Sequence, residues 1–344
     1  MNRTLAGITT LASCLALAAC GTTGGSGSGG GDNDAATSPE DMTMVTVVKI
    51  SGIGWFDRME EGIKAYAKRT GVDARQEGAD DASAEKQVQI VQSLLPQNPT
   101  AITVVPNSPE SLENVLGQAR DNGIVVISHE AAGMKNVDAD IEAFDNQAYG
   151  AQMMDNLAKC MGEKGQYVAM VGHLTAKTHM DWVKGAFDEA KAKYPGIERV
   201  EDPIESKEDE NVAYQNAKSL LKKYPDIKGF EGSAGTDVAG IARAVQEAGL
   251  EDKVCVMGTS IPSVSKKYLA DGSIDKIFFW DPALAGEAQL AAAMMIAEGK
   301  TLEEGTDLGV EGYNSLRLLE GTENVFVGEA SVVVDKSNVD DYDF

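Results

Sequence analysis

Short, unbroken apolar runs alternate with helical periodicities along most of the chain. MVTVVKI (44–50), AITVV (101–105), IVVIS (124–128), YVAMVG (167–172) and VCVMG (254–258) are rich in Val and Ile, as strands are when both faces are covered in a parallel sheet. Between them Phe56, Met59, Ile63 and Tyr66 recur at helical spacing. So do Ala84, Val88, Val91 and Leu95, and again Leu112, Val115, Leu116 and Ala119, each set marking one buried helix face. Ser108-Pro109-Glu110 predicts a helix start, with a capping hydroxyl followed by proline at the first helical position. The phrase helix, glycine, strand returns at Gly71, Gly123 and Gly249, which are expected to be left-handed caps. Such repetition predicts a doubly wound α/β architecture. About ten strands are too many for one open sheet, so two doubly wound parallel-sheet lobes are expected.

Composition narrows the partners. The 344 residues, 43% of them hydrophobic, suffice for two domains with sizeable cores. With 30 basic against 54 acidic residues the formal charge is −24. This excludes nucleic acid and an anionic membrane surface as partners, since both are bound by clustered Lys and Arg.

Near the start, Arg3 precedes an apolar stretch, Ile8 to Leu17, too short to cross a bilayer. It closes on Leu17-Ala18-Ala19-Cys20, which resembles the lipobox of bacterial lipoproteins. The resemblance implies that residues 1–19 leave as a signal peptide and that Cys20 carries lipid. The protein would then be held at the outer face of the cell membrane by acyl chains alone. Residues 21–31, with seven glycines in eleven, open a flexible Gly/Ser-rich tether over 20–42. Of the four cysteines, Cys14 leaves with the signal. Cys160 and Cys255 remain, as a disulfide or as two buried thiols.

Ligands of open α/β sheets bind beyond the carboxyl ends of the strands, so the residues after each run carry the candidate chemistry. Lys49 follows the first, with Trp55 and Phe56 at the next turn. His129 and Glu130 follow another; His173, Thr178 and His179 follow YVAMVG. Ser233, Gly235 and Asp237 come later, then Ser260, then Trp280 and Asp281. All three histidines and two of the three tryptophans of the chain stand at such ends. Aromatic faces beside planar hydrogen-bonding groups suit a small polar molecule with an apolar face, such as a sugar. Rival chemistries find little footing. Gly52-Ile53-Gly54 begins a dinucleotide fingerprint, but Asp57 stands where its third glycine would be. EGSAG lacks the first glycine of a nucleophile elbow, and the histidines show no close zinc-ligand pair. No catalytic residue, cofactor or metal is expected.

The segments VVKISGIGWF (47–56), THMDWVKGA (178–186), GTSIPSVSKKYLADGSI (258–274) and FFWDPALAGEA (278–288) resemble the type I, sugar-binding proteins of bacterial ABC importers, ribose-binding-like and nearest the rhamnose- and autoinducer-2-binding branch. The resemblance implies a three-segment hinge between an N-terminal lobe (43–145 with 282–311) and a C-terminal lobe (146–281 with 312–335), followed by an acidic tail (336–344). It implies that Lys49, Trp55, Phe56, His129 and Glu130 meet the ligand from one lobe, and Thr178, His179, Ser233, Gly235, Asp237, Ser260, Trp280 and Asp281 from the other. The chain departs from the branch in carrying Thr178-His179 where the autoinducer-2 type has Asp-Gln, and Ser233-Ala234-Gly235 where it has Pro-Asp-Ala. The reading is a monomeric, lipid-anchored receptor that captures a monosaccharide and passes it to a permease driven by an ATPase, catalysing nothing. An autoinducer-2-type signal receptor and a secreted α/β enzyme are the alternatives.

Overall fold

A computed structural model describes residues 38–344. The expected signal peptide, the expected lipid site Cys20 and most of the expected tether lie outside the described residues. The last residues of the tether expected over 20–42 are structured. Pro39–Asp41 form a 3-10 turn, and Met42, 1% exposed, is already part of a hydrophobic core.

The first half builds one sheet. In order come β1 (Thr43–Val48), α1 (Gly54–Thr70), β2 (Asp73–Gly78), α2 (Ala84–Leu94), β3 (Ala101–Val104), α3 (Pro109–Asp121), β4 (Val125–Ser128) and β5 (Ala139–Glu142). The chain then passes into α4 (Asn146–Cys160), β6 (Lys164–Val171), α5 (Lys177–Lys193), β7 (Gly196–Arg199), β8 (Ile204–Glu205) and α6 (Glu210–Lys223). It continues through β9 (Ile227–Gly232), α7 (Asp237–Ala248), β10 (Cys255–Thr259), α8 (Pro262–Asp271) and β11 (Lys276–Phe279), and ends with α9 (Pro282–Ala297), β12 (Arg317–Leu318), β13 (Val325–Val327) and β14 (Val332–Val334). One sheet runs β12-β13-β5-β4-β3-β1-β2 and the other β14-β11-β10-β9-β6-β7, with β8 beside β6. Only β12 and β14 pair antiparallel. These are the two expected lobes, each a parallel α/β sheet.

β1 shows why the runs are apolar throughout. Met44 and Val48 belong to one core cluster while Val45 and Val47 belong to another, on the opposite face. Thr46, fully buried, is tolerated because its hydroxyl accepts from Thr103 at 2.8 Å. Ser108 caps α3, and Gly71, Gly123 and Gly249 have φ of 86°, 82° and 63°, as expected of left-handed caps. α9 is buried nearly all round, against α1 and the first sheet. Cys160 and Cys255 form a disulfide joining the end of α4 to the start of β10.

The chain crosses between sheets three times: after β5, after β11 and after β13. The last crossing corrects the expected boundary at 311/312. β12 and β13 extend the first sheet, β13 pairing with β5, and only β14 joins the second, beside β11. The terminal segment is docked: Tyr342 and Phe344 pack edge-on to Phe279 at 5.3 and 5.9 Å.

Candidate functional site

The carboxyl ends of β1 and β4 in the first sheet face those of β6, β9, β10 and β11 in the second across one small cavity. Lys49, one residue beyond β1, is 3% exposed. Its ammonium pairs with Glu130, which follows β4 with its backbone in the left-handed region (φ 58°). Burial pulls the Lys49 pKa down, but the carboxylates of Glu130, Glu208 and Glu142 outweigh it and raise it, so the group is cationic at neutral pH. Behind it the Lys49 carbonyl accepts from Asn107 Nδ2 at 2.8 Å. The Asn107 carbonyl in turn accepts from Thr175 Oγ1 of the other lobe at 3.1 Å.

His179, in the first turn of α5, meets Lys49 from the second lobe, Nε2 lying 3.5 Å from the Lys49 Nζ. The Gly172 N–H donates to His179 Nδ1 at 3.2 Å, so the ring hydrogen is on Nε2. Burial, followed by the Lys49 charge, holds the His179 pKa well below its ordinary value and keeps the ring neutral. Two donors therefore confront one another across the lobes with no acceptor between them.

The aromatic wall is shared as well. Trp280, at the end of β11, stands edge to face with Trp55 of α1 (4.6 Å) and with Trp182 of α5 (5.7 Å). Trp280 Nε1 donates to His129 Nε2 at 3.2 Å, while His129 Nδ1 donates to the Ile141 carbonyl at 2.5 Å. His129 thus fixes the indole from behind. Gly235 lies against Trp55: a Cβ there would stand 3.3 Å from the ring.

Of the sequence candidates, Lys49, Trp55, Phe56, Glu130, His179, Ser233, Gly235 and Trp280 line this cavity, whose space, counting what opens to solvent, is about 280 Å3. The others do not. Asp237 turns its carboxylate to the Ser233 and Ala234 N–H groups (3.1 and 2.9 Å), and burial lifts its pKa to about 6. Ser260 donates to the Gly235 carbonyl at 2.8 Å. Asp281 caps α9 and is gripped by Arg58 Nε and Nη2 at 2.9 and 2.7 Å. Thr178 is buried beside the site, and half-buried His173 faces Glu205 at 3.8 Å. Trp182, Glu208, Ile53 and Thr259 complete the lining and were not singled out in the sequence. Trp182 reads there as a helix-core residue, and Glu208 follows a strand of two residues with no apolar run to announce it. Among the described residues one possible metal-ligand cluster assembles, Cys160, Cys255 and Asp275, and its sulfurs are bonded to each other.

The fold has known relatives. Residues 44–301 match the family model for the periplasmic binding protein domain. A xylitol-binding protein of Mycolicibacterium smegmatis is 28% identical over 280 residues, 80% of this chain and 75% of that one. The D-allose-binding periplasmic protein of Escherichia coli is 26% identical over 72% of this chain and 81% of its own. Among solved structures, LsrB from Clostridium saccharobutylicum in complex with AI-2 superposes with a TM-score of 0.81 at 23% identity, over 88% of this chain and all of that one. A solute-binding protein from Clostridium phytofermentas with bound L-rhamnose also reaches 0.81, at 19% identity, over 87% and 97%.

Proposed function

The chain belongs to the periplasmic binding protein family, and from that premise we propose that it is an extracytoplasmic receptor closing two lobes around a small, neutral monosaccharide or polyol. The observation that carries this reading is the pair of donors, Lys49 Nζ and His179 Nε2, 3.5 Å apart on opposite lobes. An oxygen acceptor between them would relieve their opposition and tie the lobes together, so ligand and closure stabilise one another. Lys49 and Glu130 cancel in charge, which favours an uncharged guest. Trp55, Trp182 and Trp280 offer apolar surface to its C–H groups while Ser233 and Glu208 offer polar contacts. Two relatives, a xylitol-binding protein and a D-allose-binding protein, point the same way. The receptor hands its ligand to an ABC permease with its ATPase, acts as a monomer, and is anchored by lipid on Cys20. That anchor rests on the Leu17-Ala18-Ala19-Cys20 sequence and the glycine-rich stretch after it.

The test is a thermal-shift panel of xylitol, D-ribose, D-allose, L-rhamnose and AI-2, with native mass spectrometry of co-purified ligand. A ligand at 100 times its Kd stabilises by about 2.7 kcal/mol. A sugar or polyol that does so supports the reading, and a response to AI-2 alone replaces it with a signal receptor. No response from any of them, with nothing co-purified, overturns it.

A further inference from the structure

Glu208 is the one carboxylate lining the cavity that has no hydrogen-bond partner among the described residues. It belongs to a tight loop between β8 and α6, pinned by Ser206 N–H to the Val171 carbonyl and Lys207 N–H to the Gly172 carbonyl, each at 2.8 Å. Lys207 and Glu208 are both in the left-handed region, φ 61° and 58°, where side chains other than glycine are strained. Such strain accumulates where a side chain must be aimed. The aim is into the cavity, made possible by Gly172: a Cβ on Gly172 would fall onto the Glu208 carboxylate and stand 3.1 Å from His179 Cε1. The side chain is 95% buried (5% exposed) and lines the cavity, yet its carboxylate makes no hydrogen bond to any described residue. Glu130 differs, because Lys49 is its partner. The charged and titratable groups that face Glu208 are Lys49 beyond β1, Glu130 beyond β4, Asp237 on α7 and, through the Gly172 gap, His179 on α5.

We propose that Glu208 is a ligand-contacting, specificity-determining residue, a second carboxylate that accepts a hydrogen bond from one hydroxyl of the bound polyol. This rests on the reading of the cavity as a polyol site. Lys49 and His179 there donate to a ligand oxygen, and a hydroxyl that accepts from them needs an acceptor for its own hydrogen or its neighbour's. Glu208 supplies one. Burial, opposed by Lys49, raises its pKa to about 7, so the acceptor form fills as pH rises through neutrality. Ligand affinity then rises with pH, by about 30-fold at most between pH 5.5 and 8.5 if only the carboxylate binds. Asp237, with a pKa of about 6, titrates at the acid end of this window, and Glu208→Gln separates the two.

The experiment measures Kd by calorimetry at pH 5.5, 7 and 8.5, with whichever of xylitol, D-ribose, D-allose and L-rhamnose shifts the wild-type melting temperature most, and with its single-deoxy analogues. Wild type, Glu208→Gln and Glu208→Ala are compared, after the unliganded melting temperature of each has shown it folded. Expected are a loss of tenfold or more in Glu208→Gln at pH 8.5 and a flattened pH profile. One deoxy analogue should lose affinity in wild type but bind both variants as well as its parent does. Equal affinity, pH profile and deoxy penalties in wild type and both variants overturn the role of Glu208 and leave the polyol reading standing. Failure of wild type to bind any of the four, with no other sugar or polyol co-purified, overturns both.

Discussion

Glu231 sits in the middle of the second sheet, on β9, 1% exposed, and neither of its carboxylate oxygens has a hydrogen-bond partner among the described residues. Burial raises its pKa to about 8, against 4.5 for the free side chain, with only Arg199 opposing. The folded protein therefore holds a proton there that the unfolded chain releases. With the folded pKa above the unfolded one, the stability this group contributes is complete below about pH 4.5 and is lost as pH rises to about 8. At 1.36 kcal/mol per pKa unit, the loss is about 3 kcal/mol by pH 7 and about 5 by pH 9. Glu231→Gln keeps the shape and removes the titration. Urea unfolding of the unliganded protein at pH 5, 7 and 9 should show the variant gaining on wild type by roughly 3–5 kcal/mol across that range. The other buried carboxyls, Asp140, Glu142, Glu208 and Asp237, titrate in both proteins and cancel in the difference. Parallel curves would refute the argument, because they would mean that Glu231 is ionised, and solvated, in the native state.

Three further outcomes follow from the geometry. The Cys160–Cys255 bridge spans 95 residues of sequence, so Cys160→Ser should lower unfolding free energy by up to about 4–5 kcal/mol on the chain-entropy account; denaturation with and without reductant checks it, and equal midpoints would argue against the bridge. His129→Phe keeps a ring but removes the acceptor for Trp280 Nε1 and the donor to the Ile141 carbonyl; it should weaken ligand binding about tenfold, read by titration calorimetry, and cost about 1–3 kcal/mol of stability, read by urea unfolding. Lys49→Met leaves Glu130 buried without its partner and should cost roughly 3–5 kcal/mol of stability. The double variant Lys49→Met/Glu130→Gln should recover part of it, and a double variant no more stable than the single one would contradict the pairing.

The lobes were legible in the sequence because several buried parallel strands are nearly continuous apolar runs, and β1, β3, β4, β6 and β10 fall on them; β5 and β9, which bury Asp140, Glu142 and Glu231, are less plainly marked. Edge strands escaped. β7 reads GIER and β8 only IE, since an edge open to water needs no continuous apolar run. VFV (325–327) and VVV (332–334) look alike, yet they join different sheets, a choice made by tertiary contacts alone. At the site, the strand-end rule located residues without giving the direction of their side chains. Asp237 and Asp281 open helices, where a carboxylate is drawn to backbone N–H groups rather than outward. Ser260 is claimed by a carbonyl. Glu208 depends on a backbone conformation that its residue type does not advertise, and on the bareness of Gly172 thirty-odd positions away.

Arg58 lies one turn beyond Trp55 on α1 and clamps Asp281, the neighbour of Trp280 at the second crossing. The clamp thus holds Trp55 and Trp280 together beside the second crossing, and an opening of the lobes would have to break it before the two indoles could part. Besides that clamp, the lobes meet where Lys49 opposes His179 and where Thr175 donates to the Asn107 carbonyl. A guest held in the cavity would touch polar groups of both lobes and the tryptophans at once, so the rate of escape would depend on how fast these few contacts between lobes break together.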